Sequence, residues 1–247
     1  MCAKLRIPVL YEDSQLLLVN KPSGVLSLPD GYDPRSPVLA AVLRPTYGDL
    51  WVVHRLDRET SGVIALARNE QAHQKLNDQF ETRQVVKVYH ALVSGSPPWD
   101  EHSISAPLVI DADRHHRTLI DQQTGKPSET NFKVLERFAR GKQHYTLIEA
   151  QPLTGRTHQI RVHLAALGIP VAVDVLYGSA KPVLLSELKR DYRGNVEEER
   201  PLLGRLGLHA CQLTLRHPTT DQILTFDAPY PKDLAATLNQ LRKVVYV

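Results

Sequence analysis

The chain has 247 residues, 42% hydrophobic and 23% charged, with a formal net charge of +3. A chain of this length and composition buries roughly 70–75% of its extended surface unaided, which excludes a disordered chain and a coiled coil. Its two cysteines, Cys2 and Cys211, form no Cys-x-x-Cys pair, which excludes a disulfide scaffold and a thiolate zinc site, and no apolar run approaches the about 20 residues of a membrane helix.

Met1–Pro8 holds no apolar core of the kind a signal peptide needs. A reducing, cytoplasmic location is the expectation, with Cys2 at a frayed terminus. Pro8–Asp13 and Gln15–Asn20 read as short strands, and Lys21–Gly24 as the turn after them. Gly31–Pro37 is loop. Ser36-Pro37 starts a helix, Val38–Arg44, that stops before Pro45. Ser61-Gly62 opens an apolar strand, Val63–Ala67. Asn69 caps a helix to about Thr82, with Ala72, Leu76 and Phe80 at i, i+4 and i+8.

Val85–Val93 alternates as a strand. Asp111–Ser128 is a polar and basic hairpin loop. Thr130–Phe138 and His144–Ala150 read as paired strands, and Thr154–Leu167 as a helix ended by Gly168. Ser186–Arg205 is charged without periodicity, a long loop or mobile insert. Leu208–Leu215 and Ile223–Phe226 are strands, and Pro231–Val244 a final helix. Strands outnumber helices and come as neighbouring hairpin-like pairs, which predicts an α+β fold with a largely antiparallel sheet. No Gly-x-Gly-x-x-Gly, P-loop or Gly-x-Ser-x-Gly elbow occurs.

Two stretches are dense in reactive side chains. In His54-Arg-Leu-Asp-Arg-Glu-Thr-Ser-Gly62, Asp57 stands between Arg55 and Arg58, just before an apolar strand. Guanidinium groups keep a carboxylate ionised and available as nucleophile or base. A solvated surface loop fits the same letters. In Leu153-Thr-Gly-Arg-Thr-His-Gln-Ile-Arg-Val-His163, Arg156, His158, Arg161 and His163 crowd a helix start, where the dipole disfavours cations. His158 and Arg161 share a face at i, i+3. Such a cluster suits an anion, and a solvated basic face suits it equally. Tyr89, on an alternating strand, is either a half-buried core tyrosine or an aromatic plate for a base.

Taken together, these stretches resemble the RluA-type family of RNA pseudouridine synthases. The resemblance rests on Tyr11-Glu-Asp, Val19-Asn-Lys-Pro-Ser-Gly24, His54-Arg-Leu-Asp57, Thr60-Ser-Gly62, Tyr89-His-Ala-Leu-Val, Gly125-Lys-Pro, the 153–163 stretch, Tyr177-Gly178 and Leu208-His-Ala210. They occur in the family's order over roughly residues 7 to 230. The resemblance implies an α+β fold with a mixed, mostly antiparallel sheet, flanking helices and a central catalytic cleft. It implies isomerisation of uridine in RNA to its C-glycoside, with no cofactor and no metal. Asp57 matches the family's essential aspartate, Arg161 the arginine paired with it, and Tyr89 the tyrosine stacked on the target uracil. Arg55 matches the residue that wedges into the RNA where the base leaves its stack, and Arg58, Arg156 and His158 are expected RNA contacts.

The expected partner is a tRNA or rRNA stem-loop, with no membrane and a monomeric enzyme. The chain is expected to be a single catalytic domain over residues 1–247, with no N-terminal S4 RNA-binding domain. RNA selection then falls to the loops, with Asp113–Arg117 and Lys189–Arg205 as candidates. One departure stands out: Val173-Asp174 replaces the usual Gly-Asp before Tyr177-Gly178, at a place where glycine serves a tight backbone conformation. Two other readings use the same residues. One is a metal-dependent hydrolase built on His54, Asp57, His158 and His163, and the other is a catalytically silent RNA-binding protein.

Overall fold

The computed structural model describes residues 5–31, 35–140, 143–189 and 191–244. Cys2 and the centre of the 31–37 loop lie outside them. In chain order the strands and helices are β1 (Val9–Glu12), β2 (Leu16–Lys21), α1 (Leu39–Tyr47), β3 (Trp51–Val52), β4 (Ser61–Ala67), α2 (Glu70–Glu81), β5 (Val86–Ser94), β6 (Glu101–Ser105), β7 (Leu108–Val109), β8 (Leu119–Ile120), β9 (Glu129–Arg140), β10 (Gln143–Pro152), α3 (Gln159–Ala166), α4 (Leu185–Leu188), β11 (Leu208–Arg216), β12 (Ile223–Asp227) and α5 (Lys232–Val244). The fold is α+β, with mostly antiparallel strand pairing. The chain divides into two units, Met1–Val88 with His209–Pro229, and Tyr89–Leu208 with Tyr230–Val247.

In the first unit, β2 and β3 flank β4 antiparallel, β1 pairs β2 antiparallel, and β11 runs parallel to β4 and antiparallel to β12. All seven residues of β4 are buried, as expected for an unbroken apolar run. Gly62 lets β4 approach β11. At its φ of +126°, an added Cβ would lie 2.2 Å from the Ala210 carbonyl oxygen. The helix expected after Asn69 forms as α2. The Asn69 side chain accepts from the Ala72 N–H at 2.9 Å, and Ala72 and Leu76 are fully buried. α1 differs from expectation. Val38 is extended and bridges Leu26, so the helix begins at Leu39, and it runs through Pro45 to Tyr47. Pro45 sits in the last turn, where the helix ends within two residues and Gly48 N–H closes it on the Arg44 carbonyl.

In the second unit, β5, β10, β9 and β6 pair antiparallel in that order. The expected 111–128 loop holds a short hairpin: residues 110–118 are the tip between the two-residue strands β7 and β8, and residues 121–128 turn back towards β9. β6 had no sequence signal: its pattern, Glu-His-Ser-Ile-Ser, is a sheet edge and nearly all polar. Two apolar clusters fill this unit. One gathers Leu92, Leu147, Leu203 and the α5 residues Leu234, Leu238 and Leu241. The other gathers Ile148, Ile160, Leu164 and Val171. The 186–205 segment is packed down at its two ends. Leu188 and Leu203 are buried in the first cluster, and Arg205 grips Asp233 with two 2.7 Å bonds.

Candidate active site

Asp57 sits in the 53–60 loop that leads into β4, half-buried, with Arg55 and Arg58 exposed beside it. The loop is not a solvated crossing. Leu56 is buried, and its N–H and carbonyl both close on the Ser27 hydroxyl, at 3.0 and 2.8 Å. On the other side of Asp57, the Arg58 carbonyl accepts from Gly24 N–H at 2.8 Å and from the Lys21 ammonium at 3.1 Å. Lys21 is fully buried at the end of β2 and also donates to the Val25 and Pro22 carbonyls. Asp57 is therefore held between two clamps, and its own carbonyl accepts from Thr60 N–H at 3.1 Å. Glu59 faces Arg58 at 3.6 Å and accepts from the Ser23 hydroxyl.

His54 does other work. Its Nε2 accepts from Ala65 N–H at 2.9 Å, and its ring stacks on Phe80 with centroids 4.5 Å apart. Burial, and then the Lys87 ammonium, push its pKa down to about 3, so it is a neutral packing group. Ser61 and His209 meet at 3.0 Å, and His209 Nε2 reaches the Ala228 carbonyl, which ties the start of β4 to β11 and to the chain beyond β12.

In the second unit, the 153–163 stretch divides its labour. α3 begins at Gln159, because His158 adopts a left-handed φ of 56°. Arg156 thus precedes the helix. Its N–H bonds the Gln159 Oε1, and its Nε reaches the Pro127 carbonyl at 3.3 Å. Gln159 uses both ends of its amide, accepting from Thr154 and Arg156 and donating to the Glu129 carbonyl and the Thr130 hydroxyl. His163, fully buried one turn on, joins Thr130 at 2.9 Å and Ser128 at 3.1 Å. Burial lowers its pKa. These polar contacts fasten α3 to the start of β9 and rule out the solvated basic face.

Arg161 points elsewhere. It is 5% exposed and meets Asp174, which is fully buried, through Nε and Nη2, each at 2.8 Å. Asp174 Oδ1 also accepts from the Leu176 and Tyr177 N–H groups. Burial alone would raise the Asp174 carboxyl, but the Arg161 hydrogen bonds and charge and these two N–H groups hold it below its usual value. The Arg161 guanidinium lies 5.0 Å from the Tyr177 ring centroid. The Tyr177 hydroxyl accepts from Thr118 N–H at 2.8 Å and bonds His158 Nδ1 at 2.9 Å. His158 and Arg161 thus converge on one tyrosine, although His158 is not helical. Tyr89 lies on β5, half-buried against the Ile148 cluster.

The site residues fall in both units: Arg55, Asp57 and Arg58 in the first, Tyr89, Arg156, His158 and Arg161 in the second. The sequence reading missed Lys21, Ser27, Asp174 and Tyr177 as supporting groups. A lysine closing the run Leu-Leu-Leu-Val-Asn-Lys was a usable signal, since a charge at the end of a buried strand needs several acceptors. Of the two candidate RNA stretches, Asp113–Arg117, within the 111–117 loop, is pre-shaped. Asp113 accepts from His115 and Arg117 N–H and from Arg117 Nε, with Arg114, His115 and His116 exposed around it. Among the described residues no three His, Cys, Asp or Glu side chains gather as metal ligands. The histidines of the hydrolase reading are engaged with Ala65, Tyr177, Thr130 and Ser128. No helix of the described residues is long and apolar enough to cross a membrane.

Residues 15–166 match the family described as RNA pseudouridylate synthase. The chain is 38% identical over 245 residues to ribosomal large subunit pseudouridine synthase C of Escherichia coli (strain K12), covering 97% of this chain and 72% of that one. It is 36% identical over 251 residues to the uncharacterized RNA pseudouridine synthase YlyB of Bacillus subtilis (strain 168), covering 96% and 73%. Among solved structures, it is similar to human RNA pseudouridylate synthase domain containing 1, with a TM-score of 0.71 and 28% identity over 97% of this chain and 96% of that one. It is also similar to human RNA pseudouridylate synthase domain containing 4, with a TM-score of 0.70 and 25% identity over 95% and 93%. The chain belongs to the RluA-type family of RNA pseudouridine synthases. It is an isomerase that converts uridine in RNA to pseudouridine.

Proposed function

We propose that this enzyme modifies uridine in ribosomal large-subunit RNA and that Asp57 is its catalytic carboxylate. The observation that carries the reading is the pair of clamps on either side of Asp57, Ser27 on Leu56 and Lys21 with Gly24 on Arg58. A surface loop that only crosses between elements has no need of a buried ammonium beneath it. The choice of RNA is supported by the name of the Escherichia coli relative.

The chemistry asks for few groups. The N1–C1′ bond breaks, the uracil turns, C5 bonds C1′, the C5 proton leaves, and N1 takes up a proton. Asp57 serves by adding to C1′ or by taking the C2′ proton. Arg161 pairs with Asp57 and keeps it ionised. Tyr89 stacks on the detached uracil and holds it for the turn. The target base must first leave its stack, at a cost of a few kcal/mol. Arg55 fills the gap, and Arg58, Arg156, His158 and the 111–117 loop contact the RNA, offsetting that cost. No cofactor or metal takes part. Both units act as one catalytic domain, in a monomer, in the cytoplasm.

The test is tritium release from RNA labelled at uridine C5, with large-subunit rRNA and tRNA supplied separately and unmodified. Release from rRNA alone agrees with the proposal. Release from tRNA alone overturns the choice of RNA and leaves the chemistry standing.

A further inference from the structure

We propose that Asp174 is a positioning residue for the isomerisation, and that it acts by fixing the plane of the Arg161 guanidinium. This rests on the reading of Arg161 as Asp57's partner. Asp174 binds Arg161 side-on, through Nε and Nη2. Two parallel bonds to a planar fork leave the group no rotation about its last torsion, so they also set the direction of Nη1, which the grip does not use.

Two costly features meet at this point, and neither is explained by stability. A buried ion pair is weak evidence for stability, because desolvation of both charges offsets their attraction. Val173, immediately before Asp174, has a φ of +59° and is nearly buried. A β-branched residue in the left-handed region is a true outlier, of the kind that persists only where the surroundings over-determine it. That conformation turns the chain so that the Asp174 carboxylate faces Arg161 while its Oδ1 still receives Leu176 and Tyr177 N–H. The Tyr177 ring lies against the same guanidinium, and its hydroxyl is pinned by Thr118 N–H and His158. Arg161 is thus oriented by its own environment within the second unit.

Asp174→Asn is the direct test. The asparagine Oδ1 can keep its backbone bonds, but its amide nitrogen sets a donor against the Arg161 Nε–H. The rate of a single turnover at saturating RNA is expected to fall about 10- to 100-fold, with RNA affinity within about threefold. In an Arg161→Lys background, where no fork remains to be oriented, adding Asp174→Asn is expected to change the rate by less than about threefold. An equal loss in both backgrounds would mean a merely structural residue and would overturn the proposal. So would an unchanged rate in Asp174→Asn. If Arg161→Lys and Arg161→Gln both keep the wild-type rate, the reading of Arg161 itself fails, a result distinct from either. Should Asp174→Asn not fold, the Arg161 Nε–H resonance of the wild-type protein decides. A slowly exchanging signal with restricted rotation supports the grip, and a rapidly rotating guanidinium overturns it.

Discussion

The two halves of the proposed site are held rigid in different ways. Around Asp57, the backbone is fixed: a hydroxyl and an ammonium hold the peptide groups of Leu56 and Arg58. Around Arg161, the side chain is fixed, by a carboxylate and a tyrosine ring. The difference follows from length. Asp has one methylene between backbone and carboxylate, so locating its backbone nearly locates its charge. Arg has a long, rotamer-rich stem, and only contacts at the guanidinium define where it points.

Changes beneath Asp57 break this comparison most strongly. Lys21→Met removes the donor from three carbonyls in a buried place, and chemical denaturation is expected to show a loss of roughly 3–5 kcal/mol. Activity should fall with it, because the Arg58 clamp is released. The same change made beside Arg161 would have touched a side chain only.

Acid sharpens the comparison next. The folded pKa of His54 is about 3, below the ordinary 6.5, and that of His163 is also lowered. His54 is neutral when folded and His163 holds its proton less readily folded than unfolded, so the unfolded chain takes up protons first as pH falls below 6.5. Stability is then lost, by about 1.4 kcal/mol per pH unit for each such histidine, down to its folded value. Denaturation curves between pH 7 and 4 should show this slope, and His54→Phe should reduce it.

Ser27→Ala is the milder version of the Lys21 experiment. It leaves the Leu56 N–H and carbonyl without their hydroxyl, an expected loss of roughly 1–3 kcal/mol in thermal or chemical unfolding. Smallest of all is Arg114→Ala in the 111–117 loop. RNA binding should weaken a few-fold, and the slope of log affinity against log salt should shrink by about 0.7–0.9. Neither stability nor the rate at saturating RNA should change.

The same contrast explains what could be read from the sequence. β4, α2, β9, β10 and α5 were legible, since apolar periodicity and the Asn69 cap act locally. Asp57 and Arg161 were legible as motif letters. What each letter touches was not, because Ser27 lies 29 residues from Leu56 and Asp174 lies 13 from Arg161. The helix start at Gln159 was misplaced by the left-handed turn at His158, a conformation uncommon outside glycine that no periodicity announces. Val173 was the informative exception. The glycine expected there implied an unusual backbone, and the valine adopts that backbone.

The central claim is that Asp57 performs the chemistry and that the clamps around it serve that purpose. It is tested most directly by Asp57→Asn, assayed by tritium release from C5-labelled large-subunit rRNA and by RNA binding on the same samples. The account predicts a loss of release of about 1,000-fold or more, with RNA affinity and thermal stability close to wild type. Release by Asp57→Asn at a rate near that of wild type would contradict it.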